Sequence, residues 1–140
     1  MNKIYHVINR GVEKRTIFLK NQDYSRFVLA LEFFNDRASS NLWQIIEKFN
    51  PALFGKRLAV KRESSKEHLV ELLAFTLMPN HYHLVLREII PNGISLFMQK
   101  LGGYTSYFNK QYDRVGPLFQ SRYKSVPIQD DIQLHTVFAY

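Results

Sequence analysis

The sequence predicts an α+β fold, a mostly antiparallel sheet with helices packed on one face. Three observations carry this expectation. Runs at 3–10, 81–89 and 121–127 alternate or concentrate apolar and β-branched residues as strands do, and 70–78 reads as a more apolar strand. Apolar residues recur at spacings of three and four over 22–36 and 94–113, as amphipathic helices require. The resulting order, β–α–β–β–α–β–α with one irregular insert, makes sheet neighbours of strands joined by short turns.

The first strand, "KIYHVINR", sets Ile4, His6 and Ile8 against Tyr5, Val7 and Asn9, and Gly11 closes it. A loop dense in positive charge follows, "RGVEKR". Asn21 or Asp23 then caps a helix whose Phe27, Leu31 and Phe34 form one stripe. The segment 36–68 is the least regular. "LWQIIEKF" reads as a short helix, and "GKRLAVKRESSKEH" as a solvated basic loop or an additional nucleic-acid contact. "VELLAFTLM" (70–78) is nearly all apolar, so its sheet is expected to be covered on both faces there. "PN" turns the chain into "HYHLVLREI" (81–89), completing an antiparallel hairpin.

Ile94, Phe97, Leu101, Tyr104 and Phe108 line one face of the next helix, which Gly102 and Gly103 weaken in its middle. On it Tyr104 is expected in the core, with Tyr107 and Tyr112 as surface or DNA-stacking residues. The chain then makes a strand near 121–127 and a last helix from about Asp131. Assembled, these elements give a ferredoxin-like or RRM-like sandwich.

The 140 residues suffice for one domain with its own core, 1–140, and 46% hydrophobic content argues against disorder. With no cysteine, disulfides and thiolate metal sites are excluded. No run has signal-peptide or membrane-spanning character, so a soluble, cytoplasmic protein is expected. The formal charge of +7 favours a polyanionic partner, nucleic acid before a membrane surface.

His81 and His83 stand one residue apart in "LMPNHYHLVL", so a strand points both to one face, opposite Tyr82, Leu84 and Leu86. Two imidazoles so placed suit one divalent cation, with oxygen ligands completing its shell, or they are two ordinary surface histidines.

The flanking residues extend the pattern. "MPNHYHLVL" resembles the signature of the HUH single-strand DNA endonucleases, in particular their single-tyrosine transposase branch, which includes insertion-sequence and REP-associated tyrosine transposases. "YHVINRGVEKRTIFLKNQDYSRF" (5–27) is similar to that family's opening block, and "GPLFQSRYKSVPIQDD" (116–131) to its closing block. The resemblance covers nearly the whole chain apart from the insert at about 36–68, which is longer than the family pattern.

What the resemblance implies is a nuclease-ligase. A tyrosine hydroxyl attacks a phosphate of single-stranded DNA, giving a 5′-phosphotyrosine and a free 3′-OH, with Mg²⁺ or Mn²⁺ on His81 and His83. It places the nucleophile at Tyr140, in "DDIQLHTVFAY". In the family the helix continues, and an amide residue one turn later is a third metal ligand. The present sequence stops at Tyr140, so the expectation is a truncated helix, weak or absent cleavage and intact DNA binding.

Arg10, Lys14, Arg15, Arg122 and Lys124 are candidate phosphate contacts. Phe119 and Gln120 are candidates for touching a base, although Phe119 also suits the core. The expected partner is single-stranded DNA carrying a hairpin. Relatives include both monomers and dimers that share active sites, so a homodimer stays open. Two further readings remain: a binding module that holds single-stranded or hairpin nucleic acid without cutting it, and a phosphoesterase that uses the histidines with an activated water.

Overall fold

The computed structural model describes residues 3–37 and 67–129. Most of the 36–68 insert, with its expected helix and basic run, lies outside the described residues. So do the last helix and Tyr140. Along the described chain come β1 (Ile4–Arg10), a short 3-10 turn (Val12–Lys14), α1 (Asn21–Phe33), β2 (Val70–Met78) and β3 (His81–Glu88). They are followed by α2 (Gly93–Leu101), α3 (Tyr104–Gln111) and β4 (Lys124–Ile128). The strands form one antiparallel sheet in the order β2-β3-β1-β4, the ferredoxin-like arrangement.

The period-two pattern sorts the central strands onto two faces. Val7, Tyr82, Leu84 and Leu86 meet Phe27 and Ala30 of α1, Phe97 of α2, and Tyr104 and Phe108 of α3 in one buried cluster. Each such side chain contributes about 1.5–3 kcal/mol on leaving water. The opposite face carries His6, Ile8, His81, His83 and Val85, which the register of β1 against β3 brings onto neighbouring rungs.

Short-range chemistry fixes the helix positions. Asp23, rather than Asn21, caps α1: its carboxylate accepts the backbone N–H groups of Leu19 (2.8 Å) and Lys20 (3.0 Å). Glu88, at the end of β3, accepts the Ile94 N–H at 3.1 Å and so caps α2. Gly93 opens that helix against the sheet because a Cβ there would stand 2.2 Å from the Leu69 carbonyl oxygen. Asn35 joins the end of α1 to β2, accepting from Leu69 and Val70 N–H (2.9 Å each) and donating to the Val70 carbonyl (2.7 Å).

Four sequence expectations need correction. The helix expected over 94–113 is two helices. Gly102 and Gly103 interrupt it, and i→i+3 bonds from Gly103 to Lys100 and from Thr105 to Gly102 replace the α pattern there.

The second concerns β2, which is not covered on both faces. Among the described strands it is one of the two at the sheet's edges, with Phe75 42% and Met78 41% exposed and a register shift between Leu72 and Ala74. An apolar run placed at a sheet edge lies partly beyond the helices that shield the centre.

The third concerns Tyr107 and Tyr112, which do not stand free for stacking. Both hydroxyls donate to Asp23 at 2.6 Å, one to each carboxylate oxygen. Tyr104 is in the core as expected, its hydroxyl on the Ile17 carbonyl at 2.6 Å. The closing strand also starts later than expected, at Lys124.

Candidate metal centre and nucleic-acid interface

Both motif histidines sit on β3, His81 as its first residue. The rings of His81 and His83 are 5.0 Å apart, centroid to centroid, and nearly perpendicular. His81 is half-buried and its Nδ1 lies 2.8 Å from Asn80 Oδ1. His83 is only 5% exposed, which sets it apart from an ordinary surface histidine.

A third imidazole completes the group. His6 of β1 places Nε2 2.8 Å from His83 Nδ1, with the two rings stacked at 5.0 Å. His6 was visible in the sequence as one position of an alternating strand. Its meeting with His83 depends on the β1–β3 register, which no local spacing encodes.

Burial, followed by the neighbouring His6 and His81, pushes the His83 pKa down to about 4. Burial also lowers that of His6, and burial together with the Arg10 guanidinium lowers that of His81. Neutral imidazoles at neutral pH keep lone pairs available, which is the form a cation binds. The donor set therefore fits a divalent ion with two nitrogen ligands. Among the described residues no group of three or more His, Asp or Glu gathers to hold one, so the pair supplies two positions only.

The basic candidates divide by location. Arg10 ends β1 directly opposite His81 in the register. The closing segment is tied to that strand end by backbone bonds: Gln120 N–H to the Arg10 carbonyl (2.9 Å), Val12 N–H to the Leu118 carbonyl (2.7 Å), and a bridge between Gly11 and Phe119. Arg10, Gln120, Arg122 and Lys124 consequently line one small cleft of about 90 Å³ with Ile8, Asn9 and Ser121. Residues 110 positions apart in sequence thus form one basic surface, which reaches the histidine strand through Arg10.

Arg122 also lies over the Tyr123 ring at 5.7 Å. Phe119 is half-buried with its ring edge-on to Tyr82 at 5.8 Å, so it packs as well as lining a cavity of about 380 Å³. Lys14 and Arg15 are exposed on the turn after β1. Gly11 makes that turn possible, since a Cβ there would meet the Arg15 carbonyl oxygen at 2.3 Å. The structure brings Arg10, Gln120, Arg122 and Lys124 together, and of these Arg10 stands opposite His81 in the register. Lys14 and Arg15 are not among the residues lining that cleft.

The family described as "Transposase IS200 like" matches residues 1–140, the whole chain. The chain belongs to the IS200-like transposases.

Two solved structures share the fold of this transposase chain. One is a REP-associated tyrosine transposase bound to a REP hairpin (TM-score 0.56, 12% identity), matched over 97% of the present chain. The present chain spans 61% of that protein's length. The other, from Deinococcus radiodurans R1 and described as a transposase, has a TM-score of 0.55 and 13% identity, covering 99% of this chain and 88% of that one. Among curated proteins, none matches the sequence. Among the described residues no helix is long and apolar enough to cross a membrane.

Proposed function

We propose that this transposase chain cleaves and rejoins single-stranded DNA on the histidine-bearing sheet face, with Tyr140 as nucleophile and His81 and His83 as metal ligands. The observation that carries the reading is the cleft formed by Arg10, Gln120, Arg122 and Lys124 at the strand end facing His81. Arg10 thus links the proposed phosphate contacts to the histidine pair on the neighbouring central strand. The proposed substrate is single-stranded DNA with a hairpin, as a REP hairpin is bound by the similar structure.

Mg²⁺ or Mn²⁺ on the histidine pair would neutralise charge on the scissile phosphate and polarise it toward attack. The chain's own groups do the rest. Tyr140 Oη forms a bond to phosphorus and loses its proton, the bond from phosphorus to the 3′ oxygen breaks, and that oxygen takes up a proton. The phosphotyrosine ester keeps the energy of the broken bond, so the 3′-OH can later attack it and rejoin the strand. Arg10, Arg122 and Lys124 hold the phosphates on either side, with Lys14 and Arg15 extending the basic path. Phe119 and Gln120 are placed to meet a base.

Four other tyrosines are ill suited to the attack. Burial raises the pKa of Tyr82, Tyr104, Tyr107 and Tyr112, and hydrogen bonds to Asp23 raise it further for the last two. All four remain neutral donors at physiological pH.

The variant Tyr140→Phe tests the reading with a hairpin-bearing single strand and Mn²⁺. It should lose the covalent protein–DNA adduct and keep binding within about twofold, because the hydroxyl carries the chemistry and little of the electrostatic affinity. If the strand is still cut, a water is the nucleophile. If the wild-type chain binds and never cuts, it is a binding module.

A further inference from the structure

We propose that Asn80 and His6 are positioning residues for the metal, holding a proton on Nδ1 of His81 and of His83 so that both rings present Nε2. The inference rests on the reading of His81 and His83 as ligands and extends it to two residues that the motif does not name as ligands.

The case for Asn80 comes from donor and acceptor identity. Its Nδ2 donates to the Lys14 carbonyl oxygen at 3.4 Å, an acceptor only, which orients the amide. Its Oδ1 therefore faces His81 Nδ1 at 2.8 Å, and an amide oxygen cannot donate. The proton in that bond belongs to the ring, so neutral His81 is the Nδ1–H tautomer with its lone pair on Nε2. Asn80 is itself held: its carbonyl accepts the Gly11 N–H at 2.9 Å, in the turn that joins β2 to β3.

His6 plays the same part for His83, from the neighbouring central strand. One proton lies between His6 Nε2 and His83 Nδ1, 2.8 Å apart. If His83 is to bind through Nε2, that proton sits on His83 Nδ1 and His6 Nε2 accepts it. The stacking of the two rings, 21° from parallel at 5.0 Å, fixes the plane in which His83 presents Nε2. A hydrogen-bond partner behind a ligating imidazole sets its tautomer and direction, and losing such a partner costs about 10–100-fold in metal affinity.

The test uses the whole chain without DNA. Titration calorimetry with Mn²⁺ compares wild type with His6→Phe, Asn80→Leu, His6→Gln and His81→Ala. His6→Phe and Asn80→Leu should each weaken Mn²⁺ about 10–100-fold. His6→Gln restores an acceptor and should recover most of the loss, which mere repacking would not. Long-range ¹H–¹⁵N spectra of histidine-labelled, metal-free wild type should show His81 protonated at Nδ1.

Protonation of His81 at Nε2 in that spectrum overturns the inference whether or not any variant folds. So does Mn²⁺ affinity within twofold of wild type in both His6→Phe and Asn80→Leu while His81→Ala has lost it, an outcome that leaves the metal site standing. If His81→Ala itself binds Mn²⁺ normally, the metal site fails and the positioning role falls with it.

Discussion

Asp23 and Tyr107 are 84 residues apart in sequence, yet the Tyr107 hydroxyl donates to the Asp23 carboxylate at 2.6 Å inside the core. Tyr112 and the backbone N–H groups of Leu19 and Lys20 converge on the same fully buried carboxylate. Four donors on one side chain tie the start of α1 to α3, two of the three described α-helices that pack behind the sheet.

Removing that acceptor should therefore be severe. Asp23→Ala leaves two hydroxyls and two amides without that acceptor, a loss of roughly 4 kcal/mol or more at about 1–3 kcal/mol for each group left buried. Tyr112→Phe, which deletes one donor, should cost about 1 kcal/mol. Urea unfolding of the two variants checks both figures. Equal losses would mean that Asp23 does not organise the network.

Gly11 is the backbone condition for the basic turn. In Gly11→Ala the new methyl would overlap the Arg15 carbonyl and the Ile17 side chain, 2.3 and 2.9 Å away. The turn must open, which displaces Lys14 and Arg15 and strains the bridge to Phe119. Expected outcomes are a stability loss of about 2 kcal/mol and weaker DNA binding. Thermal unfolding and fluorescence anisotropy measure the two separately. An unchanged melting temperature would show that the turn adapts without cost.

The basic cleft makes an electrostatic prediction. Arg10→Ala and Arg122→Ala should each weaken single-strand binding, and each should lower the slope of log affinity against log salt by about 0.7. The weakening should be similar across DNA sequences, because phosphate contacts carry no base information. Glu32→Gln, on the outward face of α1, serves as the control and should leave the slope unchanged. A large loss confined to one sequence would instead place Arg10 or Arg122 on a base.

Much of the architecture was legible because it rests on local periodicity. The alternation through Val7 and the apolar spacing through Phe27 and Phe97 put strands and helices where the structure has them. What escaped the sequence depends on which strand lies beside which. His6 carries no spacing relation to His83, and only the β1–β3 register makes them neighbours. Tyr107 and Tyr112 flank an apolar stripe and so read as surface, because the buried carboxylate that accepts their hydrogen bonds lies in another helix. The edge position of β2 was hidden for a related reason, since an apolar run gives no count of its neighbours. The basic candidates were identifiable one by one from charge. Their convergence around Arg10 comes from the backbone bond between Gln120 and Arg10.

The proposed reaction is a metal-dependent attack by Tyr140 on single-stranded DNA held on the histidine-bearing face. The most direct measurement is peptide mapping of the covalent adduct formed with a hairpin-bearing single strand and Mn²⁺, in wild type and His83→Ala. The account predicts DNA attached through a 5′-phosphate to Tyr140 in the wild type, no adduct with chelator present, and none in His83→Ala. An adduct on another tyrosine, or equal adduct formation by His83→Ala, would contradict it.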